Sequence, residues 1–141
     1  MSRQFYIALA IWIKSIMFNG FISSFILSVD KGPSAFLSGI FIIILGFILT
    51  APLLTIITPA VKASIRLPYT TLASKAWLAF FLMLIAFLFL MAFGIVFGIS
   101  IQEDFGSSII FGSLLSVLLA TLSVSKSIDN YKIETNASNL V

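Results

Sequence analysis

The stretch FLSGIFIIILGFILTAPLLTII, residues 36–57, decides the fold class of this chain. Apolar and polar residues do not alternate along it, whereas a membrane-barrel strand alternates over about 10 residues. Its length matches the roughly 20 residues with which a helix crosses about 30 Å of hydrocarbon. The stretch therefore predicts a transmembrane helix.

Similar apolar runs occupy most of the remaining sequence. Of the 141 residues, 60% are hydrophobic and only 9% are charged, whereas about a quarter of the residues in a soluble domain are charged. We expect an all-α integral membrane protein with one membrane domain, a bundle of four transmembrane helices. The helices are predicted at approximately residues 5–29, 35–57, 76–99 and 108–124, followed by a cytoplasmic tail at residues 125–141.

The connections between the runs differ in kind. The two short ones share aspartate and glycine at an offset of 74 residues, Asp30 with Asp104 and Gly32 with Gly106. This hints at two similar helical hairpins, although turns select these residue types independently.

The longer middle connection begins with Thr58-Pro59, which is typical of an N-cap and the first residue of a helix. Lys62 and Arg66 follow on one face, and Pro68 would end the helix. A short interfacial helix and a plain polar loop are both compatible with this connection.

The distribution of basic residues predicts the orientation. Six of the eight bases belong to the N-terminus, the middle connection and the tail: Arg3, Lys62, Arg66, Lys75, Lys126 and Lys132. By the positive-inside rule, these segments lie on the cytoplasmic side of an inner (plasma) membrane. Lys62, Arg66 and Lys75 are predicted to contact anionic lipid headgroups. Because the bases are few and explained by topology, we expect no binding of nucleic acid.

The first apolar run has a second interpretation, as a cleavable signal peptide. It is longer than the 7–15 residues of a typical signal-peptide core, which favours a retained helix.

The sequence lacks several residue types on which catalysis depends. It contains no histidine and no cysteine, and all five acidic residues lie outside the apolar runs. Ligation of zinc or haem by histidine or cysteine, and nucleophilic catalysis by cysteine, are therefore excluded. We expect no cofactor, no metal and no enzymatic activity.

Small residues recur at helical spacing on the last two runs. Gly94 and Gly98 form a GxxxG pattern, and Gly112, Ser116 and Ala120 repeat every fourth residue. Such stripes let helices approach closely in lipid. They predict helix packing within the chain or contact with a partner chain.

Pro52 interrupts the second run. A proline inside a helix removes one backbone hydrogen bond and produces a kink. Broken helices build substrate sites in some transporters, but a tolerated kink is the commoner outcome.

Lys14 and Asn19 are polar residues within the first run, and both are candidates for an intramembrane polar contact. A lysine in hydrocarbon either marks a function or extends its ammonium to the interface. We favour the second account for Lys14. The alternative is a pair with hydroxyls or carbonyls of the bundle, or with an acid from a partner subunit.

These features predict a non-catalytic accessory or structural subunit of a larger membrane protein complex, surrounded by membrane lipids and other subunits. The alternative function is a small homo-oligomeric transporter or channel, which would use Lys14 and the Pro52 kink as its polar features.

Overall fold

Within hydrocarbon, each backbone N–H and C=O must be bonded inside the protein, which restricts an apolar chain to helices or closed barrels. A computed structural model describes residues 2–32, 34–67, 70–97 and 104–138, and these residues form helices without any strand. The elements are α1 (Arg3–Lys31), α2 (Ala35–Thr50), α3 (Leu54–Arg66), α4 (Thr71–Phe97), α5 (Asp104–Ser123) and α6 (Ser125–Ser138).

Three segments are long and apolar enough to span a membrane: Arg3–Val29 in α1, Leu37–Arg66 across α2 and α3, and Thr71–Val96 in α4. A fourth candidate span consists of α5 and α6, which meet at a bend of 52°. The described part of the chain is therefore all-helical, with three to four candidate membrane spans. The helical class is confirmed, and the count of four spans stays a prediction.

The middle of the chain differs from the prediction. The second span is interrupted by a 3-10 turn, Ala51–Leu53, that contains Pro52, and α3 then begins at Leu54. The predicted helix start at Thr58-Pro59 is wrong, because Pro59 lies inside α3. The Leu54 N–H bonds back to the carbonyls of Ala51 and Pro52, so the helix resumes directly after the turn and needs no new N-cap.

The C-terminal segment, predicted as a cytoplasmic tail, is helical. Residues 125–138 form α6, which packs against α1, α3, α4 and α5. Ile128 is only 1% exposed, and Val124 and Lys132, each four residues from it, are also buried. This spacing gives α6 one face that packs on the bundle.

Gly32 ends α1 at its C-terminus. Its φ of 73° lies in the left-handed region, and its N–H donates to the Ser28 carbonyl. Glycine adopts this conformation without the steric cost that other residues meet.

A hydrophobic core lies where α3 and α6 join α1, α4 and α5. Its central side chains, each fully or almost fully buried, are Ala8, Ile11, Val61, Leu78, Ala120 and Ile128. We call this region the packed end.

Beyond the packed end, only some pairs of helices stay in contact. α1 packs along both α2 and α5, and α4 packs along α5, but α2 and α4 make no extended contact among the described residues. The bundle is therefore open between α2 and α4.

Candidate functional site

The opening between α2 and α4 is an apolar cleft with a volume of about 530 Å³. Aromatic and aliphatic side chains line its two sides, Phe41 and Leu45 from α2 and Phe89 and Phe93 from α4. α1 and α5 contribute residues to its lining as well. A volume of this size is within the range of small-molecule pockets, about 300–1,000 Å³.

One end of the cleft is closed by the packed end. Ile11, Ile57, Leu82 and Val117 belong both to the core and to the lining of the cleft. Because these side chains are held by packing from several helices, this end of the cleft is preformed.

A few polar groups lie among the apolar lining residues. The Trp12 indole N–H donates to Thr50 Oγ1 at 2.9 Å, and that hydroxyl donates to the Gly46 carbonyl at 2.6 Å. This chain of bonds joins α1 to the last turn of α2 and satisfies the indole N–H in the interior.

Asn19 is the most polar of these lining residues. Its Oδ1 accepts a hydrogen bond from Ser23 Oγ at 3.0 Å. The structure thus places Asn19 in the lining of the cleft. Among the described residues, the buried side-chain atom of the lining that has no hydrogen-bond partner is Ser15 Oγ.

Lys14 lies elsewhere. Its ammonium donates to Ser123 Oγ at 3.0 Å, at the last residue of α5. The carbonyls at a helix C-terminus carry partial negative charge, which favours a nearby cation. Lys14 therefore contacts a hydroxyl of its own chain at the α5–α6 bend and does not line the cleft.

The predicted small-residue stripe on α5 packs within the chain. Ser116 and Ala120 are fully buried, and a side chain added at Gly112 would overlap Ser23 Oγ and Asn19 Oδ1 of α1. Gly94 lines the cleft, and Gly98 lies outside the described residues.

α1 and α2 also approach closely through glycine. A Cβ added at Gly39 would overlap Ser24 Oγ and would lie 2.8 Å from the Gly20 carbonyl oxygen. The glycines of α2 therefore lie in its contact with α1. The proposed likeness of the two hairpins is not tested by this contact and stays a prediction.

A cluster of polar contacts holds α6 to the packed end. Lys75 Nζ and Asp129 Oδ2 form an ion pair at 2.6 Å. Lys132 Nζ donates to the Leu67 carbonyl at 3.1 Å and to Ser74 Oγ at 2.5 Å. The Lys132 side chain is buried.

The N-terminus joins the same cluster. Arg3 pairs with Glu134 and lies over the Tyr131 ring at 5.7 Å, and Gln4 Nε2 donates to Tyr131 Oη at 2.5 Å. Three distant parts of the sequence, the N-terminus, the middle connection and α6, thus meet at one end of the molecule.

The bases predicted to contact lipid headgroups divide into two kinds. Lys62 and Arg66 are exposed on α3, whereas Lys75 is partly buried in its ion pair with Asp129. The sequence did not indicate this pair, since the two residues are 54 positions apart.

Pro52 is exposed beside the cleft, while its neighbour Leu53 lines it. Thr55 Oγ1 donates to the Pro52 carbonyl at 2.6 Å. A hydroxyl thus bonds to a backbone carbonyl at the interruption. Whether the break is only a tolerated kink stays a prediction.

Within the described ranges, no group of three acidic side chains is arranged to hold a metal ion. Comparison of the chain with models of protein families, with curated proteins and with solved structures finds no match.

Proposed function

We propose that this chain is a non-catalytic accessory or structural subunit of a larger membrane protein complex. The observation that carries the proposal is the exposed outer face of α2. Leu37 is 72% exposed, Ile44 is 53% exposed and Ile48 is 66% exposed. Their spacing places them on one stripe of the helix.

The packing of α2 supports a partner on this stripe. α1 is the only other membrane-spanning helix with which α2 makes extended contact among the described residues. Association of helices in lipid depends on van der Waals packing and hydrogen bonds between them. A partner helix on the outer stripe would add such packing on the side of α2 that α1 leaves open.

We also propose an orientation in an inner (plasma) membrane with both termini on the cytoplasmic side. The contacts of Arg3, Lys75 and Lys132 gather three basic segments at one end of the molecule. The positive-inside rule assigns such an end to the cytoplasm. The exposed Lys62 and Arg66 then lie where anionic headgroups are within reach.

The alternative, a small homo-oligomeric transporter or channel, has less support. The lining of the cleft is overwhelmingly apolar, and among the described residues no charged side chain lines it. Ion pathways in membranes typically place ionisable groups along the route.

Site-specific photocrosslinking in the native membrane tests the proposal. A photoreactive residue in place of Ile44 should crosslink to an unrelated membrane protein, which mass spectrometry would identify. The matched control is Leu88, an apolar residue of α4 that is 58% exposed. We expect lipid adducts at that position.

Two results would contradict the proposal. Crosslinks from Ile44 to a second copy of the chain, together with a clean homo-oligomer after mild-detergent purification, would favour the transporter or channel. Lipid adducts alone at both positions, with a monomeric purified chain, would show that the stripe faces the bilayer.

A further inference from the structure

We infer that the packed end stands among the phospholipid headgroups, and that the hydrocarbon of the bilayer begins at the level of Lys14, Thr50 and Ser123. This inference does not depend on the proposed function or orientation, because it concerns depth in the bilayer and not a partner or a side. It is carried by the lengths of the helices, the chemistry of their exposed residues and two hydrogen bonds between helices.

Three of the candidate spans are longer than the hydrocarbon is thick. They contain 27, 30 and 26 residues, which at 1.5 Å per residue extend about 40, 45 and 39 Å. The hydrocarbon core is about 30 Å thick. By contrast, α5 has 20 residues and extends about 30 Å. Each of the three longer spans thus has a surplus of about 10–15 Å.

Tilting of the helices does not account for this surplus. A helix about 40 Å long that begins and ends at surfaces 30 Å apart must tilt by about 40°, which is the upper limit of observed tilts. Because α1 packs along α5, α5 would tilt with it. The 30 Å of α5 would then cross only about 23 Å of the bilayer. The surplus therefore lies outside the hydrocarbon.

The exposed residues show at which end the surplus lies. In one segment from each of α1, α2, α4 and α5, every exposed residue that the structure describes is apolar. These segments are residues 15–29, 37–50, 80–96 and 109–122. Surfaces in contact with water rarely expose contiguous apolar patches of this extent. These four segments therefore face the hydrocarbon.

The surface of the packed end has a different composition. Polar and charged residues are exposed on α3 and α6, among them Thr55, Lys62, Arg66, Lys126, Asn130 and Glu134. Exposed charges are costly in hydrocarbon, whereas they are solvated among headgroups and water. The surplus length of the helices therefore lies at the packed end.

Two hydrogen bonds mark the level of the boundary. Lys14 Nζ donates to Ser123 Oγ at 3.0 Å, and Ser123 is the last residue of α5. Nearby on α1, the Trp12 indole N–H donates to Thr50, the last residue of α2. α2 and α5 thus end at one level of α1. Lysine and tryptophan are typical of the membrane interface, so this level is the edge of the hydrocarbon.

The remaining length of α1 agrees with this boundary. From Lys14 to Lys31, the last residue of α1, is about 26 Å at 1.5 Å per residue. This is close to the thickness of the hydrocarbon. The part of α1 before Lys14 then lies among headgroups, although its sequence is as apolar as the part that follows.

The inferred boundary changes the order of depths along α1. The span predicted from hydropathy has its middle at Met17, whereas the span that begins at the inferred boundary has its middle between Ile22 and Ser23. In the inferred position, Phe25 lies about 4 Å from the bilayer midplane and Ile13 about 14 Å from it. With the midplane at Met17, Ile13 would be the deeper residue, at about 6 Å against about 12 Å for Phe25.

Spin labels measure these depths. The chain contains no cysteine, so Ile13→Cys and Phe25→Cys, both at exposed positions, can each carry a single nitroxide. The labelled proteins are reconstituted in phosphatidylcholine vesicles. Collisions of the nitroxide with oxygen, which concentrates in hydrocarbon, are compared with collisions with a water-soluble nickel complex. We expect the Phe25 label to lie about 10 Å deeper than the Ile13 label.

A second pair of labels tests the position of α6. α5 and α6 could instead cross the membrane together as one bent span. Asn130→Cys lies at an exposed position of α6, and its matched control Phe111→Cys lies at an exposed position of α5. We expect the Asn130 label to collide mainly with the nickel complex and the Phe111 label mainly with oxygen.

Three outcomes would overturn the inference. An Ile13 label deeper than the Phe25 label would return the midplane to Met17. An Asn130 label in the hydrocarbon would show that α5 and α6 cross together. If Ile13→Cys does not purify as a monodisperse protein, Tyr6→Cys decides in its place. A label there should lie about 12 Å outside the hydrocarbon, and a label inside the hydrocarbon or at its edge would contradict the boundary.

Discussion

Replacing Lys132 by methionine tests how α6 is held to the bundle. The substitution preserves much of the side-chain volume and removes the hydrogen bonds that the ammonium donates to the Leu67 carbonyl and Ser74 Oγ. Hydrogen bonds from a charged group contribute about 1.5–3 kcal/mol each. Removal of the charge also removes the cost of burying the ammonium, so we expect a net loss of about 2 kcal/mol in the docking of α6.

Hydrogen exchange of the α6 amides measures this loss directly. Local opening of a docked helix determines the exchange rates of its amides, and 2 kcal/mol corresponds to about 30-fold faster exchange. Lys126→Met is the matched control, because Lys126 is exposed on the same helix and such surface changes are usually within about 0.5 kcal/mol. Equal exchange in the Lys132→Met and unmodified proteins would refute a role of Lys132 in holding α6.

Three further experiments, with five substitutions, test two other contacts and the orientation. Gly39→Ala should lower the stability by about 1–3 kcal/mol, as overpacking does. Gly46→Ala is the control and should cost less, because its added Cβ would meet only the Ile16 side chain, at 2.9 Å. Equal losses of stability in the two variants would contradict the close α1–α2 approach. Lys14→Met should be recovered in the assembled complex at the yield of the unmodified protein, since its contact is a hydroxyl of the same chain, whereas loss of assembly would indicate a buried pair with a partner acid, worth about 3–5 kcal/mol. Gly106→Cys should react with a membrane-impermeant thiol reagent in intact cells and Arg66→Cys should not; the reverse pattern would overturn the orientation.

The sequence was sufficient to predict the helical membrane class, because that class depends on the length and composition of apolar runs. Apolar and polar residues do not alternate in residues 36–57, so this stretch excludes a membrane-barrel strand. The ends of the helices were harder to predict. Pro59 looked like a helix start because proline is common there, but the helix after the Pro52 turn resumes at Leu54 and continues through Pro59.

The contacts of α6 and the cleft could not be predicted from local patterns. Residues 125–138 are too polar to resemble a membrane span, and their packing depends on Ile128 and Lys132 meeting residues of α3 and α4. The spacing of Val124, Ile128 and Lys132 was the available signal of a packed face. The cleft exists because α2 and α4 do not pack against each other. The hydropathy of a single helix does not show which other helices it contacts.

The contrast between the packed end and the cleft also determines which substitutions the chain tolerates. At Ala8, Val61 and Ala120 the side chains are fully buried, and an added methylene would have no space to occupy. The exposed apolar residues of α2 can be exchanged for one another with little loss of stability. A library of single substitutions selected for membrane expression should therefore be intolerant where α3 and α6 meet α1 and at the glycine contacts of α1 with α2 and α5. It should be tolerant along the exposed stripe of α2.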